Sequence, residues 1–467
     1  MKRSLVTTVA ILIAVLSGPR LSHAVDERRI QELERQVTEM QKELQSLRQE
    51  RKQEEERTQK QKIESERKTS ILAEEFEKLK TNLTVPEDTA YKSAYGLGPA
   101  ASKIYGTRRG LSIGGYVEGF YSKFVSDKTR ANRDNADFLR LVTYIGYKFN
   151  DWILFNSEIE LEHGSTSTTK TSGSGEVSVE FAYLDFLLSE YANVRAGMLL
   201  IPMGFLNEMH EPNTFHGVFR PEVETRIIPS TWRENGVGLF GKIGESLQYR
   251  LYAVNGLNAR GFSVAGLRGG RQKGNRALAE DISITGRLDY TPITSLLLGG
   301  SFYLGDQGNN QDVSGTRIPD SHLALWEVHG QYRAYGLELR GLFTMAHLGD
   351  ARALTSALRK TKDVGTNDTI ANTMLGTYAE VAYDILPHLY ANTDHYLAPF
   401  VRFEYYNTQD NVPAGFSRNG NAAQRLWTSG LSYKPHPNVV LKVDYRRFSA
   451  VKGVRPHEVN FGIGLAF

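Results

Sequence analysis

The 467-residue chain contains no cysteine. That excludes a disulfide framework, cysteine-ligated zinc modules and cysteine nucleophiles. It also lacks the repeated apolar runs of about 20 residues that a polytopic helical membrane protein needs, and its mean hydropathy is −0.38. No glycine-rich loop follows a strand pattern and opens a helix, so nucleotide binding is unsupported. What the chain does have is 43 glycines, 23 tyrosines and 21 phenylalanines. Those counts suit a β-rich protein better than a helical one.

The N-terminus reads as an export address. Lys2 and Arg3 precede the apolar stretch Leu5–Leu16, and Ser22-His23-Ala24 places small residues for signal peptidase. We expect a cleaved signal over 1–24; a retained N-terminal anchor is the alternative. No cysteine stands at the cleavage site, so a lipoprotein is not expected. Cleavage would remove three of the 56 basic residues and none of the 53 acidic ones. The remainder is neutral.

Residues 26–83 contain no glycine or proline and are rich in Glu, Gln, Lys and Arg. Ile30, Leu33, Val37, Met40, Leu44 and Leu47 are spaced alternately three and four residues apart, which is a heptad seam. It turns polar from Arg51 to Lys68 and recovers at Leu72, Phe76, Leu79 and Leu83. A coiled coil over 25–84 is predicted, with a single solvated helix as the alternative. Ile or Val at one core position with Leu at the other leans towards dimers. Pro86, Gly96, Gly98 and Pro99 then mark a linker over 85–110.

From residue 111 the apolar period drops to two. Sixteen segments of about ten residues follow, from Ser112–Phe124 to His457–Phe467, joined by alternately short and long connections. This predicts an all-β transmembrane fold over 111–467: a 16-stranded antiparallel up-and-down β-barrel preceded by an N-terminal α-helical coiled coil. The last strand alternates Val459, Phe461, Ile463, Leu465 and Phe467 with Asn460, Gly462, Gly464 and Ala466. A terminal phenylalanine of this kind is similar to the signal read by the outer-membrane assembly machinery. A soluble β-sandwich does not account for the strand number, loop alternation and signal together.

The same period assigns side chains to the lumen. Arg140, Tyr144, Lys148, Glu158, Glu160, Arg195, Glu338, Arg340, Arg402, Glu404, Lys442, Asp444 and Arg446 are expected inside, against apolar neighbours outside. Charges of both signs imply a wet interior, and sixteen strands give room for a channel. The link 202–233 is the longest and, for a loop, unusually apolar and aromatic (Phe205, Phe215, Val218, Phe219, Ile227, Ile228, Trp232). It is expected to fold inward as the third external loop. Its charges are candidates for the constriction: Glu208, His210, Glu211, His216, Arg220, Arg226 and Arg233. Basic rings select anions and acidic rings cations.

These features together resemble bacterial outer-membrane porins of the phosphate-selective porin O and P superfamily, and the coiled coil resembles its DcaP-like branch. Ala182–Pro212 (AYLDFLLSEYANVRAGMLLIPMGFLNEMHEP) carries the resemblance best. It implies a homotrimer of separate barrels that passes small anions, with selectivity attached to Arg220, Arg226 and Arg233. Glu208, Glu211, Glu222 and Glu224 share that loop, and no dense arginine ladder is present.

Other constellations are weaker. Glu208, His210, Glu211 and His216 have the side chains to ligate a divalent metal, but clamping of the loop is the simpler use, and neither metal nor cofactor is assigned. Arg260, Arg268, Arg271, Lys273 and Arg276 lie in a glycine-rich fourth external loop; contact with lipopolysaccharide phosphates, or plain solvation, suits them better than nucleic acid. Ser429 and His457 have no spacing that supports hydrolase chemistry, so no enzyme is expected. The expected function is a passive porin for small hydrophilic solutes in the outer membrane of a Gram-negative bacterium, with the coiled coil in the periplasm. The alternative is a structural or adhesive protein whose barrel anchors a cell-wall-contacting coiled coil.

Overall fold

The computed structural model describes residues 26–83, 93–127, 132–168, 173–390, 393–450 and 455–467, with the side chains of 26–30, 33 and 76–83 left out. The expected signal segment 1–24 lies outside the described residues. The chain divides into two units, Met1–Glu87 and Asp88–Phe467.

The first unit contains one helix, α1 (Asp26–Leu83). The absence of glycine and proline permits an unbroken run of 58 residues. Its seam is uncovered: Val37, Met40, Leu44 and Leu47 are between 46% and 60% exposed.

The second unit is a closed barrel of sixteen antiparallel strands. They are β1 (Gly110–Phe124), β2 (Asn135–Lys148), β3 (Ile153–Glu162), β4 (Val177–Phe186), β5 (Asn193–Leu200), β6 (Arg233–Ile243), β7 (Leu247–Asn255), β8 (Ile282–Ile293) and β9 (Leu296–Gly305). A two-stranded ladder of β10 (Asp312–Val313) and β11 (Thr316–Arg317) sits in the next connection. The wall resumes with β12 (Leu323–Ala334), β13 (Leu337–Leu348), β14 (Thr373–Tyr383), β15 (Tyr396–Asn411), β16 (Ala423–His436), β17 (Val439–Ala450) and β18 (Glu458–Ala466). Each wall strand pairs with its neighbour along the chain, and β1 pairs with β18 to close the cylinder. The first residues of β1 and the last of β18 lie at the end that carries the short turns.

Alternation is inverted relative to a soluble protein. Along β17, Lys442, Asp444 and Arg446 are buried, whereas Leu441 and Tyr445 are exposed. In β12, Glu327 and His329 are buried between exposed Trp326 and Val328. The polar face therefore lines the inside. Alternation breaks locally at the end of β5: Leu199, Leu200 and Ile201 are all buried, so Leu200 does not take the outward place its period suggests.

Two features outside the wall strands were not signalled by the period of two. Ala351–Thr361 is a helix that buries Leu354 and Leu358, four residues apart on one face. Residues 93–107, read from sequence as linker, are folded against the inner wall and end in the one-turn helix Lys103–Gly106.

Val328 lies mid-strand on the outer face and is 51% exposed. Val328→Arg should destabilise the barrel in lipid by about 2–4 kcal/mol, as for a cation facing hydrocarbon near the midplane. Reversible denaturant unfolding in vesicles measures this, and a negligible change would show that this face is not in lipid.

Candidate functional site

The loop 201–232 joins β5 to β6 and folds inward. Its entry turn needs glycine: Gly204 has φ +68, and a Cβ there would stand 2.4 Å from Glu224 Oε2. Its apolar residues Leu206, Phe215, Val223, Ile227, Ile228 and Trp232 are buried. Wall glycines leave the space they fill. A Cβ on Gly376 would meet Val223 Cγ1 at 2.7 Å, and one on Gly464 would meet Pro212 Cβ at 2.5 Å. The loop is thus packed as core and not left in water.

Polar pins fix it to the wall along its whole length. Glu208 pairs with Arg250 at 3.0 Å, and Arg250 also reaches Asp289 at 2.9 Å. His210 Nε2 is 3.0 Å from Glu158 Oε1. His216 Nδ1 is 3.3 Å from Ser432 Oγ, and its Nε2 is 3.6 Å from Glu338. Val218 N–H donates to Asp444 at 2.6 Å, and Val223 N–H to Glu404 at 3.2 Å. Arg402 bridges Glu380 and Glu404, both at 3.0 Å, and donates to the carbonyls of His216 and Phe219. Glu222 accepts from Arg446 at 2.7 Å and Arg226 at 2.9 Å, with Arg455 at 3.4 Å. Burial opposes ionisation of Glu222, but Arg446, Arg455 and Arg226 outweigh it and hold its carboxyl well below the usual range.

Residues 93–107 meet the same loop from the other side. Glu211 Oε1 accepts from the backbone N–H of Ala100 at 2.9 Å and of Ala101 at 3.1 Å. Burial pushes the Glu211 carboxyl up to about 7 against those two hydrogen bonds. Tyr105 donates to Asp185 at 2.6 Å and accepts from Arg195 at 2.7 Å. Asn156 donates to the Ala101 carbonyl at 3.1 Å. The segment is a strap on the inward face of β1 to β6, with Lys103 donating to the Ile113 carbonyl at 2.9 Å.

Two cavities flank the loop. One of about 710 Å³ opens towards the short-turn end and is lined by six basic side chains, Lys242, Arg250, Arg287, Arg333, Arg340 and Lys434, against three acids, Glu208, Asp289 and Glu338. The other, about 580 Å³, lies towards the long loops. It is lined by Arg140, Arg220, Arg226, Arg268, Arg446 and Arg455, with five acids among its walls. Arg268 donates to Ser230, and Arg271 beside it donates to the carbonyls of Ser230 and Thr231. Burial, then the charges of Arg271, Arg220 and Arg226, pull the Arg268 guanidinium down to about 9. This corner carries more positive charge than its own carboxylates satisfy.

The loop residues singled out from sequence therefore have unequal positions. Glu208, His210, Glu211 and His216 face protein partners that hold the loop. Arg220 and Arg226 line the outer cavity. Arg233 is the first residue of β6 and is spent on Glu180 at 2.7 Å. Of the wall residues assigned inward, Arg140 and Arg446 line the outer cavity and Arg340 the inner one. Tyr144 stacks on Phe181. Glu160 pairs with Arg140 at 3.0 Å and Arg195 with Asp185 at 2.8 Å. Glu158, Arg402, Glu404 and Asp444 are buried against the loop, Lys442 lies over the Phe215 ring at 3.6 Å, and Lys148 is half-buried. Plain solvation does not describe Arg268 and Arg271, which turn inward onto the third loop; glycine-rich composition gave no sign of it. Arg250 and Arg287 were overlooked, although each stands between outward neighbours in the same period of two.

No family model matches the chain. It is 39% identical over 376 residues to an uncharacterized protein of Aquifex aeolicus strain VF5, covering 80% of this chain and 83% of that one. The chain belongs to the same family as that protein. Among solved structures, a Salmonella typhi OmpF complex with daunomycin matches with a TM-score of 0.51 at 14% identity, over 78% of this chain and 99% of that one. The outer membrane channel DcaP of Acinetobacter baumannii matches with a TM-score of 0.49 at 13% identity, over 76% of this chain and 97% of that one. At 14% identity the likeness to the OmpF structure is one of fold.

Glu211→Ala should leave the Ala100 and Ala101 N–H groups without a partner, a loss of about 1–3 kcal/mol. Hydrogen exchange of those two amides should accelerate while exchange in the wall strands stays unchanged. Equal protection in both proteins would mean the strap is held by its apolar contacts alone.

Proposed function

We propose that this member of the Aquifex protein's family is a passive porin of the Gram-negative outer membrane, passing small hydrophilic solutes with a preference for small anions. The observation that carries the preference is the inner cavity, where six basic side chains face three acidic ones. Arg220 and Arg268 add to it on the outer side, since neither has a carboxylate partner within ion-pair distance among the described residues. A positive lining concentrates anions and repels cations. Membrane placement is supported by the outward apolar face and by aromatic residues exposed near both rims: Tyr147, Phe149, Trp152 and Phe467 at the short-turn end, Phe138, Trp326 and Trp427 towards the long loops.

The rest of the reading follows from this one. The signal 1–24 directs export, short turns face the periplasm, and long loops with their lipopolysaccharide neighbours face outside. Three chains assemble as in the porin O and P superfamily, DcaP-like branch. The exposed seam of α1 supports self-association in the periplasm, with cell-wall contact a further use of the same helix.

Reversal potential across a planar bilayer under a KCl gradient tests the preference. Wild type should favour chloride, and the double variant Arg220→Glu, Arg268→Glu should move the reversal potential towards potassium. A cation-selective wild type would sink the anion reading, and a barrel with no open channel would sink the porin. A chain lacking Asp26–Leu83 should still fold as a barrel, because its strands pair only with one another, and the isolated helix should self-associate in sedimentation equilibrium. Failure of the shortened chain to form a barrel would assign the helix a role in folding.

A further inference from the structure

Three buried acceptors converge where the third loop meets the wall. Glu158 comes from β3, Glu180 from β4 and His210 from the loop. One ligand-type atom from each lies within 4.8 Å of the other two. The three residues are 0%, 1% and 2% exposed.

The hydrogen bonds around them leave a specific deficit. His210 Nδ1 is 3.1 Å from the Asn207 carbonyl oxygen. A carbonyl only accepts, so Nδ1 carries the hydrogen and the Nε2 lone pair of the neutral ring points the other way. It points at Glu158 Oε1, 3.0 Å away, with Glu180 Oε2 at 3.9 Å. All three are acceptors. Glu158 Oε2 and Glu180 Oε2 receive no hydrogen bond from a nitrogen or hydroxyl donor among the described residues, and the neighbouring Glu160 carboxyl, which reaches Glu180, is itself an acid. Of the nearby cations, Arg233 holds Glu180 Oε1 at 2.7 Å, Arg140 holds Glu160 at 3.0 Å, and Arg220 donates to the His210 carbonyl at 3.4 Å; among the described residues none forms an ion pair with Glu158. Buried carboxylate oxygens without a compensating positive group are strongly unfavourable.

We propose that Glu158, Glu180 and His210 bind one first-row divalent cation, of which zinc is the best match, and that the ion staples the third loop to β3 and β4. An imidazole donor disfavours calcium and magnesium, whereas mixed imidazole and carboxylate donors suit zinc. Donor atoms 3.0 Å apart can share an ion at bond lengths of about 2.0–2.2 Å. The outer contacts have the form that metal sites use: the second imidazole nitrogen donates to a backbone carbonyl, and Arg233 orients one carboxylate. This set differs from the loop-only group of Glu208, His210, Glu211 and His216. Only His210 is common, because Glu208 is paired with Arg250 and Glu211 with the strap. The site does not depend on the transport reading, and its test does not use transport.

The full chain, purified in detergent, is stripped with a chelator and dialysed against zinc chloride, and bound zinc is measured by mass spectrometry. The expected result is about one ion per chain, with affinity reduced at least tenfold in His210→Ala and in the isosteric Glu180→Gln, as loss of even an outer contact produces. Cobalt(II) in place of zinc should give visible absorption bands that both variants lose. Amides of 205–211 should exchange more slowly with zinc than without it, in wild type only. A wild-type barrel that binds no zinc, or variants that retain the same zinc, would overturn the site and assign the cluster to shared protons or a buried imidazolium. Glu180→Gln keeps the volume of the side chain, so a folding failure confined to His210→Ala leaves the test intact.

Discussion

A sheet edge leaves backbone groups unpaired, and the pairing of β1 with β18 is what removes the last two edges. Everything else about this barrel follows from that closure. Once the wall is a cylinder, successive side chains have only two places to go. Apolar ones take the outside, so polar ones are forced together inside. The interior is then crowded with charge, and it must be neutralised locally or hydrated.

The third loop and the strap settle that demand. Backbone amides of Val218 and Val223 reach inward carboxylates, and Arg402 reaches loop carbonyls while bridging two glutamates. Most of the interior ion pairs are therefore structural. They hold the loop and the strap against the inside of the wall, with one cavity towards the short turns and one towards the long loops. The charges left over decide what the cavities attract. On the short-turn side these are mostly cations; on the other, Arg220 and Arg268 stand apart from the paired majority. The Glu158, Glu180 and His210 cluster is the opposite case, a surplus of acceptors sealed under the loop.

The division between wall and loop also explains which parts could be read in advance. The expected segment Ser112–Phe124 is Gly110–Phe124, and His457–Phe467 is Glu458–Ala466. Strands are legible because outward residues are apolar irrespective of their neighbours, a rule that acts one position at a time. The strap was not legible. Its glycines and alanines look like linker, and what they do depends on close approach: a Cβ on Gly98 would stand 2.3 Å from Glu211 Oε1. Arg268 and Arg271 fall in the same class, since a glycine-rich loop gives no periodic sign of which way its side chains turn.

The amino-acid sequence by itself determined the sixteen strands, their inward and outward faces, the long helix with its heptad pattern and the existence of one long apolar loop. Tertiary structure alone decided which charges are paired and which are left over. The partners are remote: Glu222 and Arg446 are 224 residues apart, Ala100 and Glu211 111, His210 and Glu158 52. Periodicity is a local property of the chain. Closing the cylinder brings distant strands face to face across the lumen, and which charge meets which is fixed only there.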